Sequence, residues 1–237
     1  MKKILVLLMV LAICGVANAA VVAITNGGFE GQAPALAPGA VVNDYWTGWN
    51  CWAPTGYTPT SNKGFGVRNA PNVPQGALAY PVIATEGGNY GILGRIDTLQ
   101  ATYDYAWQST VVIAADTVYT LKFDIAGITA APQDEFITGS LFSSAAAGTL
   151  GGSIAYYTDL PNGEVLNGDY TWKTDKTVTW SSAGAGSSEV GKYLQIHFIG
   201  NRVCVDNVRL EATVVPEPAT MAILGLGSLL AMRRRRA

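Results

Sequence analysis

An all-β fold, an antiparallel β-sandwich, is what this sequence predicts, and three observations carry the prediction. No stretch between Val21 and Val215 keeps a helical period, apolar and polar residues alternate with period two in several runs, and clusters of Gly, Pro, Asn and Asp separate those runs. The first candidate strand is Val21 to Thr25. After it, Gly31 to Gln75 is rich in Pro, Gly and Asn, with Tyr45, Trp46, Trp49, Trp52 and Tyr57 crowded into it, and reads as long loops decorating one end or face. Leu78 to Ala84 and Gln108 to Ala114 are the next strands. Thr117 to Ile125 gives the clearest alternation, with Tyr119, Leu121, Phe123 and Ile125 on one side and Thr120, Lys122 and Asp124 on the other. Phe136 to Phe142 and Ile154 to Thr158 follow. Tyr170, Trp172, Val178 and Trp180 share one parity, with a twist or break marked by Thr174 and Lys176. Leu194, Ile196 and Phe198 alternate with Tyr193, Gln195 and His197, and Val203 to Ala212 closes the set. Turn chemistry falls between the strands, as in Gly87-Gly88-Asn89, Ala115-Asp116, Pro161-Asn162-Gly163 and Asn167-Gly168-Asp169.

Both ends of the chain read as targeting segments. Lys2 and Lys3, the apolar stretch Ile4 to Val16 and the small-x-small sequence Ala17-Asn18-Ala19 are the parts of a secretory leader, so residues 1–19 are expected to be removed by signal peptidase. Ile13 before Cys14 argues against a lipoprotein, in which that position must be small. The far end, 215–237, runs from a proline-bounded cap through an apolar stretch, Ala219 to Met232, into Arg233, Arg234, Arg235 and Arg236. As a helix 219–232 is about 21 Å long, short for a bilayer core of about 30 Å, and the arginines would stay on the cytoplasmic side with the body outside. A short C-terminal transmembrane helix is the expectation, and 20–214 is expected to be one sandwich domain.

Of the 15 basic residues two lie in the leader and four in the tail, which leaves nine against an acidic total of 17. An acidic body offers no cluster of Lys and Arg to neutralise phosphates, and nucleic-acid binding is excluded. Export places the chain where thiols oxidise. Two cysteines remain after processing, Cys51 and Cys204, either joined in a disulfide or simply buried as small apolar residues. No Cys/His cluster points to zinc.

Asp206 shares the parity of Val208 and Leu210 and is expected on the core side, where a carboxylate is costly unless a cation or several donors satisfy it. Calcium, with Glu30 and carbonyls of Asn26 to Gly28 as co-ligands, is one solution; ion pairing with Arg209 or Arg202, or backbone amides, is the other. The cluster Asp44, Trp46, Trp49, Asn50, Trp52 and Tyr57 is the best candidate ligand surface. Indole and phenol rings stack on sugar C–H faces while amides and carboxylates take the hydroxyls, although such tryptophans also plug cores. No catalytic residue is assigned. His197 has no nucleophile motif near it, Asp134 and Glu135 would point to opposite faces of a strand, and no dinucleotide or phosphate loop is present.

Two resemblances add to this reading. The "NGGFE" start, the central "DTVYTLKFDIAG" and the closing "VDNVRL" together resemble the jelly-roll, galactose-binding-like fold and its carbohydrate-binding modules. That likeness implies a structural calcium held by the residues matching its acidic positions, Glu30 and Asp206. Pro216-Glu217-Pro218 followed by the apolar stretch and arginines resembles the PEP-CTERM sorting signal of Gram-negative bacteria. It implies export, transient anchoring in the inner membrane, processing by an exosortase-type transpeptidase near Pro216, Glu217 and Pro218, and an association with exopolysaccharide. The resulting expectation is a non-enzymatic module of the cell surface or extracellular matrix that binds polysaccharide or serves adhesion. The alternatives are a secreted polysaccharide-active hydrolase or lyase and a purely structural surface protein.

Overall fold

A computed structural model describes residues 19–31, 41–42, 46–52, 63–69, 84–95, 104–128, 136–157, 164–165 and 171–215. Among them the strands are, in chain order, β1 (Ala19–Val22), β2 (Val41–Val42), β3 (Asn50–Trp52), β4 (Lys63–Asn69), β5 (Asn89–Arg95), β6 (Asp104–Val112) and β7 (Thr117–Gly127). They continue as β8 (Phe136–Ser144), β9 (Gly152–Tyr156), β10 (Glu164–Val165), β11 (Lys173–Ser181), β12 (Tyr193–Asn201) and β13 (Val203–Val214). A short 3-10 helix, Gly184–Glu189, joins β11 to β12.

The strands form two antiparallel sheets. One has seven strands in the order β11-β7-β13-β5-β4-β2 with β1 added beside β13; the other has six, β10-β8-β12-β6-β3 with β9 beside β8. From β5 to β8, and again from β11 to β13, the chain steps from one sheet to the other and back, the course of a jelly roll.

Period-two alternation decides what lies between the sheets. Leu121, Phe123 and Ile125 of β7, Val203, Val205 and Leu210 of β13, and Leu194, Ile196 and Phe198 of β12 all enter one core. Phe123 meets Phe198 edge-on at 5.0 Å. The aromatic contact continues through Trp49 at 5.8 Å from Phe198 and Trp46 at 5.5 Å from Trp49, ending on Phe29 at 4.7 Å from Trp46. Gly91 of β5 lies directly under Phe29 and Trp46, where a Cβ would collide with both rings.

Two expectations change here. The stretch Gly31 to Gln75 carries β2, β3 and β4, and the glycine-rich "NYGILGR" forms β5. Glycines there erase the apolar alternation, because side chains from neighbouring segments fill the space instead. The expected strand Leu78 to Ala84 lies outside the described residues except for Ala84. The disulfide does not form: Cys51 and Cys204 are thiols. Cys51 is on β3 of the six-stranded sheet, while Cys204, between the core residues Val203 and Val205, points away from that sheet into a separate cluster with Tyr90, Ile92, Ala126 and Ile128.

Candidate active site

That second cluster lies on the outer face of the seven-stranded sheet, and two β-bulges shape it. In β13 the register with β7 runs Asp206↔Asp124 and then Arg209↔Lys122, so β13 carries one extra residue between them. Asn207, at φ 52, takes the left-handed turn that accommodates it. The extra residue shifts the parity: Val205 and Val208 both face the core, and Asp206 goes outward with Cys204. The expectation of Asp206 on the core side is thereby corrected. In β11 a second irregularity falls between Lys173 and Lys176, with Asp175 at φ 55. It likewise separates Trp172, which packs on the outer cluster, from Val178 and Trp180 in the core.

Both bulges converge on Asp124. This β7 residue is 1% exposed; its Oδ1 accepts the Asp175 backbone N–H at 2.8 Å and its Oδ2 accepts Asn207 Nδ2 at 3.0 Å. Directly across the strand pair stands Asp206, 0% exposed. Its Oδ2 accepts the Thr85 N–H (2.7 Å), Thr85 Oγ1 (3.0 Å) and the Glu86 N–H (3.0 Å), while Oδ1 accepts the Asn207 N–H at 2.8 Å. Burial pushes the Asp206 carboxyl up to about 6, against the lowering pull of those four donors. A carboxyl so placed carries a proton in mild acid and loses it near neutrality.

The floor beside the aspartates is apolar. Ala126, Cys204 and Ile92 line up across β7, β13 and β5. Continuing the register past Val205↔Gly91 sets Tyr90 alongside Asp206, and Trp172 meets the Tyr90 ring edge-on at 5.6 Å. One end of the face thus holds two buried acids, and buried aliphatic and aromatic side chains fill the rest.

The segment 84–89 borders this site and is held from both sides. Asp206 grips Thr85 and Glu86; Glu30 Oε1 accepts the Gly88 and Asn89 N–H groups, both at 2.6 Å, and its Oε2 accepts Asn89 Nδ2 at 3.1 Å. Gly87, at φ 62, sits against the Glu30 carboxylate where a side chain would clash. Gly27 comes equally close to β13, accepting the Val208 N–H at 3.2 Å. The "NGGFE" and "VDNV" motifs therefore do meet, through a shared loop.

The described contacts of the Glu30 and Asp206 carboxylates are N–H and O–H donors, three of them converging on Asp206 Oδ2. Among the described residues no group of three or more His, Cys, Asp or Glu side chains gathers to hold a metal. Backbone amides, the other solution anticipated for Asp206, are what satisfy it.

The aromatic cluster is divided. Trp46 and Trp49 are core residues, 1% and 7% exposed, and neither offers a ring face to a sugar. Their turn is pinned by Gln108, whose Nε2 donates to the carbonyls of Thr25 and Gly48 at 2.9 and 3.0 Å. Asn50 is exposed on β3. Asp44, Tyr57 and the Trp52 side chain lie outside the described residues, as do Pro216, Glu217, Pro218 and the arginines Arg233 to Arg236.

Sequence reasoning passed over Asp124, Thr85, Tyr90 and Trp172. A signal for the first was present. In "FDIAGI" the polar side of the strand turns apolar after Asp124, at Ala126 and Ile128, which marks an outer face that is covered.

A jelly-roll sandwich with a buried acid pair beside an apolar floor is the class of protein these observations define. The family comparison agrees: the model of the HpiC1 cyclase family matches residues 20–211, and the chain belongs to this HpiC1-like family. This overturns the expectation of a non-enzymatic module. Among solved structures, the Stig cyclase Fisc from Fischerella sp. TAU in complex with (3Z)-3-(1-methyl-2-pyrrolidinylidene)-3H-indole has a TM-score of 0.63. It is 24% identical over 84% of this chain and 100% of that one. A Fischerella sp. TAU cyclase with 4-(1H-indol-3-yl)butan-2-one gives TM-score 0.62, 24% identity and coverage of 84% and 100%. The carbohydrate-binding module TmCBM61, in complex with β-1,4-galactotriose, is more distant: TM-score 0.43, 15% identity, coverage of 81% and 98%. No curated protein matches. The PEP-CTERM sorting motif matches residues 214–236, which marks an exported, exosortase-sorted protein with a transient membrane-anchored state in a Gram-negative bacterium. Among the described residues no helix is long and apolar enough to cross a membrane.

Proposed function

We propose that the body is an exported acid catalyst of intramolecular ring closure, acting on a planar apolar substrate at the outer face of the seven-stranded sheet. The observation that carries this reading is the Asp206–Asp124 cross-strand pair, buried at the edge of an apolar floor. Family membership supports the reaction class. In the proposed step the protonated Asp206 gives its proton to an unsaturated carbon of the substrate. The cation so formed is attacked by a π bond of the same molecule, making the new ring bond, and a proton lost from an adjacent carbon returns to a carboxylate of the pair. No electron leaves the system, so no redox cofactor is needed. Asp124 balances the developing positive charge, and Tyr90, Trp172 and Ile92 exclude water and hold the substrate flat.

The test uses 4-(1H-indol-3-yl)butan-2-one as a binding probe and a panel of prenylated indoles as substrates. Saturable probe binding that survives in Asp206→Asn, with ring closure lost in that variant, supports the reading. Unaltered turnover in Asp206→Asn and Asp124→Asn would remove it.

A further inference from the structure

We propose that, before processing, the body seats directly on the phospholipid surface through one apolar end of the sandwich, the end from which the sorting segment departs. Among the described residues the exposed large hydrophobic side chains are Val21, Val112, Leu150, Tyr156, Val190, Val214 and Val215. All but Tyr156 gather at this end. Val214 pairs with Thr117 and the Val215 N–H donates to the Asp116 carbonyl, placing the chain exit against the β6–β7 turn. Val112 closes β6 just before that turn. Val190 lies beside it, because the Gly191 N–H donates to the Ile113 carbonyl. Leu150 follows β8, whose last residue Ser144 shares a row with Tyr193 and Val112. Val21 pairs with Glu211, three residues before Val214 and so about 10 Å from the exit.

A run of aliphatic residues, Val21 at 83% and Val214 at 61% exposure, is unusual on a soluble end of a sandwich. The charges near it are Asp116 and two mutually neutralising pairs, Lys192 with Glu189, 2.9 Å apart, and, beside Val21, Lys122 with Glu211, 3.0 Å apart. Continuity selects the occupant. The sorting motif begins at residue 214, inside this patch. The start of β1 also lies here, Ala19 beside Thr213, so the leader and the tail leave from neighbouring strands toward one surface. The acid pair points elsewhere: Asp206 is eight residues up β13 from Val214, roughly 25 Å from the membrane end. Seated this way, the body holds its site away from the membrane while the tail is still attached.

Hydrogen–deuterium exchange on the full chain tests this, in vesicles of phosphatidylethanolamine with a quarter phosphatidylglycerol. Amides of 114–116 and 145–150 are expected to exchange roughly tenfold more slowly than in the same chain cleaved after Val215. That protection is expected to vanish in Val112→Asp/Val190→Asp, a surface variant whose melting temperature should match the parent. Equal exchange in anchored and cleaved chains would overturn the proposal, leaving the body hanging from its tail. Protection that grows with protein-to-lipid ratio, with cross-links between copies, would overturn it in favour of self-association.

Discussion

The two sheets of this sandwich both bury polar side chains on their outer faces, but of different kinds. On the six-stranded sheet the buried residues include Gln195, Ser140 and His197; on the seven-stranded sheet they are Asp124 and Asp206. Gln195 is closed off, its Oε1 accepting the Gly151 N–H at 2.9 Å and its Nε2 donating to the Thr149 carbonyl at 2.7 Å and Ser109 Oγ at 3.1 Å. Burial drives His197 down to about 4, so it is neutral at physiological pH. Gln195, neutral and with its hydrogen bonds made, is a fixture of the structure, whereas a buried carboxyl near 6 gives up its proton close to neutrality. The contrast teaches that burial alone marks no site; burial of a group that must change charge does.

The largest effect that can break this comparison is on turnover. Asp206→Ala should reduce ring closure by roughly a hundredfold or more, while Gln195→Ala leaves it unchanged, measured as product per folded protein. Similar losses in both would mean that the two faces do not differ in kind.

Next in size are two opposed pH dependences. The folded state holds the Asp206 proton up to about 6 where the unfolded chain releases it near 3.8. This contribution is therefore full below pH 3.8 and gone above about 6. His197 runs the other way: the unfolded chain takes a proton below 6.5 and the folded one only near 4, so its contribution is present above 6.5 and lost as pH falls to about 4. Each is worth at most about 3 kcal/mol, and the two largely cancel between pH 4 and 6. Asp206→Asn should thus melt at lower temperature as pH is lowered through that window, and His197→Gln at higher temperature. Parallel melting curves for both variants would contradict the assignment.

Much of the core was legible, because alternation survives wherever strands are regular: Leu121, Phe123 and Ile125, and Leu194, Ile196 and Phe198, all point where period two puts them. The site was misread for a physical reason. Parity counting assumes one residue per step, and the extra residues at Asn207 and near Asp175 break the count on the strands that flank Asp124. Trp46 and Trp49 were ambiguous for a different reason, since a loop tryptophan has the same composition whether it plugs a core or faces water. The tail, by contrast, is read by a partner as linear sequence and needs no fold to be recognised.

Two smaller effects sharpen the contrast. Gln195→Ala should cost about 1–3 kcal/mol, independent of pH between 5 and 8, because it leaves the Gly151 N–H and Thr149 carbonyl unsatisfied. A pH-dependent loss in chemical denaturation would mean that Gln195 couples to a titrating group. Arg209 joins the two bulges, its Nη2 2.7 Å from Asp175 Oδ1, but both side chains are substantially exposed. Arg209→Ala should then lower stability by less than about 1 kcal/mol, an effect that vanishes at high salt.

The extra residue in β13 is the clasp between the two acids: the Asn207 backbone N–H donates to Asp206 Oδ1 and its side-chain Nδ2 to Asp124 Oδ2. Removing Asn207 would return the strand to plain alternation, with Val205 and Val208 still inward and Asp206 still outward. Loss of one codon would thus spare the sandwich and the side on which the acid stands, and cost the pair only the residue that bridges it.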